Sequence, residues 1–335
     1  MPLRWTLASS EESDTLFPDE RVETRHIGLG AYAGLEFLHV NARSIINRVP
    51  EESMMPFRYT INPYRGCSHA CTYCFARPTH EYLGLGIGED FERQIVVKVN
   101  AVERLRAELR ASRWRGDPIA MGTNTDPYQH AEGKYHLTQG IVSTLAEHRN
   151  PFSILTKSTL ILRDTALLAR AATRTDISVS FSVGTLDRQV WKLTEPGTPS
   201  PDQRIAALRR LTEAGISCGV LVAPILPGLS DGDEQLRDVV AACADAGAVA
   251  IRGLALHLRG SVRDHYLQWL RNKRPDLEAL HQERFRAGAY QAQAERDRVA
   301  EVVRTAAVRC GVTGIDAYVR AEPVHITPSA QLSLL

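Results

Sequence analysis

From residue 57 onward, short β-branched or apolar runs alternate with longer amphipathic runs, and this alternation restricts the chain to a small set of folds. Strands are expected at 58–62, 118–122, 152–156, 177–183, 216–223 and 248–256. Helices are expected between them at 99–112, 136–148, 164–172, 201–214 and 235–246, each with apolar residues at helical spacing and several ending at Gly or Asn. A helical crossover returns the chain parallel to the strand it left. Six strands joined by five crossovers therefore predict an α/β fold, a partial (β/α)6 TIM-type barrel with its chemistry at the C-terminal ends of the strands. Residues 1–55 lack sustained periodicity and are expected to form an N-terminal extension packed partly on the barrel, which spans 56–260. After residue 256 the strands stop, and 262–272, 277–286 and 291–310 read as helices. They belong to a C-terminal helical segment, 261–322, expected to cover one edge of the open barrel, followed by an extended tail at 323–335.

Composition narrows the class further. With 44% hydrophobic and 24% charged residues and no apolar run long enough to span a bilayer, the chain reads as a soluble globular protein with no membrane partner. Its first 14 residues are polar and end in acidic side chains, unlike a secretory signal, so a cytoplasmic location is expected. A net charge of +1 argues against holding nucleic acid by bulk electrostatics alone. A local patch remains open, because 13 Lys and Arg stand against 9 Asp and Glu from residue 251 to the end; helices with solvated charged faces are the plainer explanation of the same residues.

Three of the six cysteines are packed between positions 67 and 74, which reads as metal binding rather than as a disulfide framework. The run Asn62-Pro63-Tyr64-Arg65-Gly66-Cys67-Ser68-His69-Ala70-Cys71-Thr72-Tyr73-Cys74 follows the first predicted strand directly. Three thiolates at these spacings wrap one face of an iron–sulfur cubane and leave one iron open, whereas four cysteines saturate the cluster of an electron-transfer ferredoxin. Two other readings stand beside it: a structural zinc site completed by His69 or His80, and three reduced cysteines with no ligand role.

The spacing Cys-x3-Cys-x2-Cys, with Tyr73 before the last cysteine and a strand before the loop, resembles the radical S-adenosylmethionine (SAM) superfamily. The resemblance implies that Cys67, Cys71 and Cys74 hold a [4Fe-4S] cluster, that the fourth iron binds the amino and carboxylate groups of SAM, and that Tyr73 lies near the adenine. One electron, from a donor such as flavodoxin or ferredoxin, would then cleave the sulfonium bond and yield a deoxyadenosyl radical that abstracts hydrogen from substrate. After the second strand, Gly122-Thr123-Asn124-Thr125-Asp126-Pro127-Tyr128-Gln129 opens toward the same barrel mouth. Gly122 would let a ligand approach the backbone, and Thr123, Asn124 and Asp126 offer hydrogen bonds to the methionine end of SAM, although the same residue types also form ordinary turns. Lys157 ends the third strand, and Ser178, Ser180 and Ser182 alternate along the fourth and so share one face. Facing the interior, Lys157, Ser180 and Ser182 would suit the SAM carboxylate and ribose; facing outward, the serines would mark a solvated or half-buried strand. Pro224-Ile225-Leu226-Pro227-Gly228 resembles the apolar turn that packs on adenine in many members.

Within that superfamily, the runs 62–67, 74–82 and 125–129 look like the spore photoproduct lyase-like branch, also described as DNA repair photolyase-like. That likeness implies hydrogen abstraction from a thymine dimer, with DNA or another nucleic acid as partner. This sequence departs from the branch at one point: the hydrogen-donating cysteine expected at the end of the second strand is missing from 120–126. Cys218, on the fifth predicted strand, is the candidate substitute, with a plain core cysteine as the alternative; Cys243 and Cys310 fall on helices and read as structural. In the tail, Gln331-Leu332-Ser333-Leu334-Leu335 resembles the linear motif that docks bacterial repair proteins on the sliding clamp, Gln331 at the pocket rim and Leu332, Leu334 and Leu335 supplying apolar anchors. The alternative is a tail folded back on its own domain. Two rival functions accompany the nucleic-acid reading: a radical SAM enzyme acting on a peptide or protein, and a non-enzymatic metal-bearing module recruited to the clamp.

Overall fold

The computed structural model describes residues 22–53, 55–312 and 314. Eleven strands are present among them: β1 (Val22–Ile27), β2 (Glu36–Val40), β3 (Ile46–Arg48), β4 (Tyr59–Ile61), β5 (Tyr64–Arg65), β6 (Gln94–Lys98), β7 (Ile119–Met121), β8 (Phe152–Thr156), β9 (Ile177–Ser182), β10 (Cys218–Ile225) and β11 (Ala250–Ala255). The main sheet has the order β11-β10-β9-β8-β7-β4-β3. Every pair from β4 to β11 is parallel, and β3 adds an antiparallel edge to β4. Each crossover thus steps to the adjacent position and the order never reverses, which is barrel winding rather than doubly wound topology. The barrel stays open between β3 and β11.

All six predicted strands occur, shifted by no more than two residues at either end. The five crossover helices Ala101–Arg110, Leu137–Glu147, Thr165–Ala172, Pro201–Glu213 and Asp233–Asp245 fall where the periodicity places them. In Asp233–Asp245 the buried residues Leu236, Val239, Val240 and Cys243 recur at spacings of three and four, forming one apolar stripe toward the sheet. Helix Pro201–Glu213 starts at a capping box: Ser200 Oγ accepts from the Gln203 amide at 3.3 Å, and Gln203 Oε1 accepts from the Ser200 amide at 2.8 Å. Between sheet and helices, β7 is buried along its whole length, as a strand covered on both faces should be.

The N-terminal region departs from expectation. A second sheet of order β1-β2-β6-β5 unites residues on both sides of position 56, with β1 antiparallel to β2, β2 parallel to β6 and β5 antiparallel to β6. Residue 56 therefore does not separate two structural units. This sheet carries its own apolar layer, with Phe37, Tyr64, Ile95 and Val97 buried together. At the other end, helix Gln293–Arg309 turns Val299, Val303, Ala306 and Ala307 against β11 and helix Asp233–Asp245. Cys243 is fully buried, whereas Cys310 lies just past the last helix and is exposed. Among the described residues no helix is long and apolar enough to cross a membrane. The tail residues Gln331, Leu332, Leu334 and Leu335 lie outside the described residues.

Candidate active site

Strand β4 runs through β5 into the cysteine loop, so the loop emerges at the C-terminal end of the parallel sheet. Main-chain bonds from three directions fix its course. The Cys67 amide donates to Phe91 O at 2.9 Å, the Thr72 amide to Thr194 O at 3.0 Å, and the Gly197 amide to His69 O at 3.1 Å. A Cβ at position 197 would lie 2.2 Å from Ser68 O, so only glycine permits this close approach. Arg77, fully buried, donates from Nε and Nη2 to Cys71 O at 3.1 and 2.9 Å and pairs with Glu92 at 2.5 Å. On the opposite side Gln129 Nε2 donates to Gly66 O at 2.9 Å while its Oε1 accepts from the Ser68 amide at 3.1 Å. The segment after β7 is thereby tied to the cysteine loop.

Cys67 and Cys71 are buried, Cys74 is partly buried, and none is in a disulfide. Burial pushes all three thiols up, Cys71 to about 12; Asp126 and Cys71 add to the effect at Cys67, and Glu195 and Cys74 add to it at Cys71. Such thiols ionise only beside strong positive charge, which is what a bound iron centre supplies. Among the described residues no three His, Cys, Asp or Glu side chains converge on a single-ion position. A cubane needs no such convergence, because each thiolate binds its own iron. His69, proposed above as a zinc ligand, instead places Nδ1 3.4 Å from Asp126 Oδ2, and burial holds its imidazole down at about 4. His80 places Nε2 3.0 Å from Gln94 O. The donor set thus suits a cluster better than zinc.

Beside the loop lies a buried charged network that sequence reading did not find. Tyr73 donates its hydroxyl to Glu195 Oε1, and Arg204 Nη2 pairs with Glu195 Oε2. Lys157 Nζ sits 3.9 Å from Glu195 and 5.8 Å from the centre of the Tyr73 ring. Burial alone would raise the Glu195 carboxyl, but Arg204 and Lys157 outweigh it and hold it below the ordinary value. Arg204 also donates to Ser182 O at 2.9 Å and Pro199 O at 2.9 Å, fastening the end of β9. The signal available in the sequence was the stretch Glu195-Pro196-Gly197-Thr198-Pro199, a charged residue and a glycine in a rigid loop.

Of the residues singled out above, Tyr73 and Lys157 are brought together beside Cys71. Asp126 is near Cys67 but already engaged: Oδ1 accepts from Thr156 Oγ1 at 2.7 Å and the Tyr128 amide at 2.9 Å, and Oδ2 from the Lys157 amide at 2.7 Å. Thr123 and the Asn124 amide bond to Asn62 at 3.3 and 3.2 Å. Gly122 has φ +88° and a Cβ there would lie 1.9 Å from Leu155 O, so strand packing, not ligand approach, explains this glycine. Ser180 and Ser182 are buried, and Ser182 Oγ donates to Ala223 O at 2.7 Å. Cys218 is not brought to the site. It starts β10, pairs with Val179 and is fully buried in the main apolar core, at the end of the strand opposite the cysteine loop. Its place is that of a core residue, so the hydrogen-donor reading gains nothing from the fold. Leu226 and Leu229, from the apolar turn after β10, pack with Cys71, Tyr73, Leu256, Tyr266 and Phe285 into an apolar wall shared with the C-terminal helices.

A family model described as the Radical SAM superfamily matches residues 61–240. An uncharacterised protein of Mycobacterium tuberculosis is 45% identical over 279 residues, covering 83% of this chain and 82% of that protein. The radical SAM Nα-GlyT isomerase of Pseudomonas phage M6 is 27% identical over 174 residues, covering 51% of this chain and 34% of the phage protein. Among solved structures, a spore photoproduct lyase variant with dinucleoside spore photoproduct superposes with a TM-score of 0.62 at 18% identity, covering 82% of this chain and 79% of that one. A further variant, with bound AdoMet and dinucleoside spore photoproduct, gives 0.57 at 19% identity over 77% and 76% of the two chains. At such identities the structural likeness concerns the fold.

Proposed function

Because the chain belongs to the radical SAM superfamily, whose members use a [4Fe-4S] cluster and SAM, we propose that it performs radical chemistry on a base of DNA. One observation carries the reading: Cys67, Cys71 and the partly buried Cys74 occupy a single loop at the C-terminal end of the parallel sheet, next to the cation of Lys157 and the ring of Tyr73. In this reading Cys67, Cys71 and Cys74 each ligate one iron and leave the fourth open. Held by these three cysteines, a cluster would supply the electron for reductive cleavage of SAM into methionine and a deoxyadenosyl radical. The protein's part is to bind, orient and exclude water. Lys157 offers its charge to the SAM carboxylate, with Tyr73 beside it and the Leu226 and Leu229 side chains closing off solvent. Thr123, Asn124, Ser180 and Ser182 line the remaining strand ends, while Asp126 acts by holding the Lys157 backbone in place. A small reductant such as flavodoxin or ferredoxin supplies the electron.

DNA as the substrate rests on two supports: the fold shared with spore photoproduct lyase, whose structures hold dinucleoside spore photoproduct, and the excess of Lys and Arg from residue 251 onward. Anaerobic reconstitution with iron and sulfide, followed by reduction and SAM, is expected to give a brown protein that releases deoxyadenosine, with turnover stimulated by irradiated DNA. A colourless protein ends the radical SAM assignment of these cysteines; deoxyadenosine release indifferent to every DNA tested ends the substrate assignment alone. The tail motif Gln331–Leu335 extends the reading to recruitment by the sliding clamp. Deleting residues 331–335 is expected to abolish clamp capture in a pull-down, and undiminished capture removes that part.

A further inference from the structure

The residue after the last cluster cysteine is a half-exposed aromatic, Phe75, whose Cα the peptide bond fixes about 3.8 Å from that of Cys74. Its ring lies 5.9 Å from the imidazole of His257, just past the C-terminal end of β11. His257 in turn stacks on Tyr290 at 5.8 Å and 28°, and a backbone bridge joins the two segments. Two guanidinium groups lie over the far ring, Arg259 Cζ at 5.1 Å and Arg296 Cζ at 5.4 Å from the Tyr290 centroid. Phe75 and Tyr290 remain 49% and 40% exposed, so this is a surface feature rather than a satellite of the core. Arg259 is exposed and has no carboxylate partner among the described residues. Arg296 binds Gln293, yet its Nε is buried without a partner.

We propose that Phe75, His257 and Tyr290 form a stacking platform for an unpaired nucleobase, with Arg259 and Arg296 holding the adjoining phosphates, so that the enzyme takes single-stranded or locally opened DNA. This rests on the nucleic-acid reading above and makes it specific. The exposed ring surfaces of Phe75 and Tyr290 offer stacking contacts that accept a base whatever its identity, and the guanidinium groups beside them supply the backbone attraction. Ring atoms stacked inside a duplex are out of reach of an active-site pocket, so an enzyme acting on them works on single strands or extrudes its target. The platform begins one residue from Cys74, which sets it beside the reacting centre rather than on a remote face. Arginine also stacks on aromatic rings and forks onto phosphate, which suits Arg259 and Arg296 to both neighbours.

The test is fluorescence anisotropy with the reconstituted protein and a labelled single-stranded oligonucleotide, against the matching duplex, the matching RNA and polyglutamate. Single-stranded DNA is expected to bind more tightly than duplex. Tyr290→Ala is expected to weaken it roughly 5- to 150-fold, the effect of removing one stacking partner, while Tyr290→Phe restores binding because the ring remains. Arg259→Ala is expected to flatten the salt dependence by about 0.7 in log–log slope, the loss of one phosphate contact on a single strand. Iron content of each variant reports folding. Binding by the wild type that Tyr290→Ala and Arg259→Ala leave unchanged overturns the platform and leaves the DNA reading standing. Absence of affinity for every nucleic acid overturns both, and polyglutamate bound as tightly as DNA assigns the arginines to an acidic peptide and overturns the platform. Tighter binding of RNA than of DNA overturns the choice of polymer.

Discussion

Cys71→Ala is expected to yield a folded protein that retains little iron after reconstitution, lacks the brown chromophore and releases no detectable deoxyadenosine from SAM. The expectation follows from geometry as well as from spacing. Arg77 clamps Cys71 O with two donors and Tyr73, two residues on, is anchored to Glu195, so the loop keeps its course without the thiol while one iron loses its protein ligand. Cys218→Ala is the matched control. That side chain lies in the apolar core at the far end of β10, so its removal is expected to cost about 1 kcal/mol of stability and to leave iron binding intact. Iron assay, visible absorption and chromatography of the deoxyadenosine made after chemical reduction distinguish the two variants. Full iron and normal deoxyadenosine in Cys71→Ala would refute the ligand assignment; loss of substrate turnover with normal deoxyadenosine in Cys218→Ala would instead revive its role as hydrogen donor.

The barrel was legible because its signals are local. Phe152–Thr156 is an apolar, β-favouring run bounded by Pro151 and by Lys157-Ser158, and its predicted and observed limits coincide. The Cys67, Cys71 and Cys74 spacing is equally local, being set within one loop. What escaped was set by distant partners. Strand β6 is only five residues long and gains its place by pairing with β2, more than fifty residues earlier, and with the two-residue β5; nothing in Gln94–Lys98 itself announces a second sheet. Likewise Glu195 and Arg204 read singly as ordinary charges, and only folding makes them a buried pair beneath Tyr73. Asp126 was expected to offer hydrogen bonds to SAM; what its neighbours in sequence could not show is that Thr156, Tyr128 and the Lys157 backbone already donate to both its oxygens. The aromatic row escaped for the same reason as Glu195, since Phe75, His257 and Tyr290 come from three separate segments.

The Glu195–Arg204 pair supports the second large expectation. Arg204 is 1% exposed and Glu195 7%, and the guanidinium reaches Ser182 O, Pro199 O and Thr198 Oγ1 as well as the carboxylate. Arg204→Met keeps roughly the volume but leaves the carboxylate with the Tyr73 hydroxyl and a single cation, Lys157 at 3.9 Å, and breaking a buried pair in this way costs about 3–5 kcal/mol. Arg204→Lys is expected to recover only part of the loss, since one ammonium cannot fill four acceptors spread across a planar fork. The pH dependence identifies the cause. In the wild type Glu195 is held below its ordinary value of 4.5, so its contribution is present above that pH and is lost as the pH falls through the lower folded value. In Arg204→Met burial dominates and raises the carboxyl, so the variant suffers most at neutral pH and is relieved by protonation on acidification. The stability gap between the two proteins, measured by urea unfolding, is therefore expected to narrow from pH 7 toward pH 5. A gap under about 1 kcal/mol that does not change with pH would mean that the pair contributes little, contrary to the cost expected for an unmatched buried charge. Because the same carboxylate anchors Tyr73 and attracts Lys157, the variant should also bind SAM more weakly, so the group that stabilises the loop orients the proposed cofactor contacts as well.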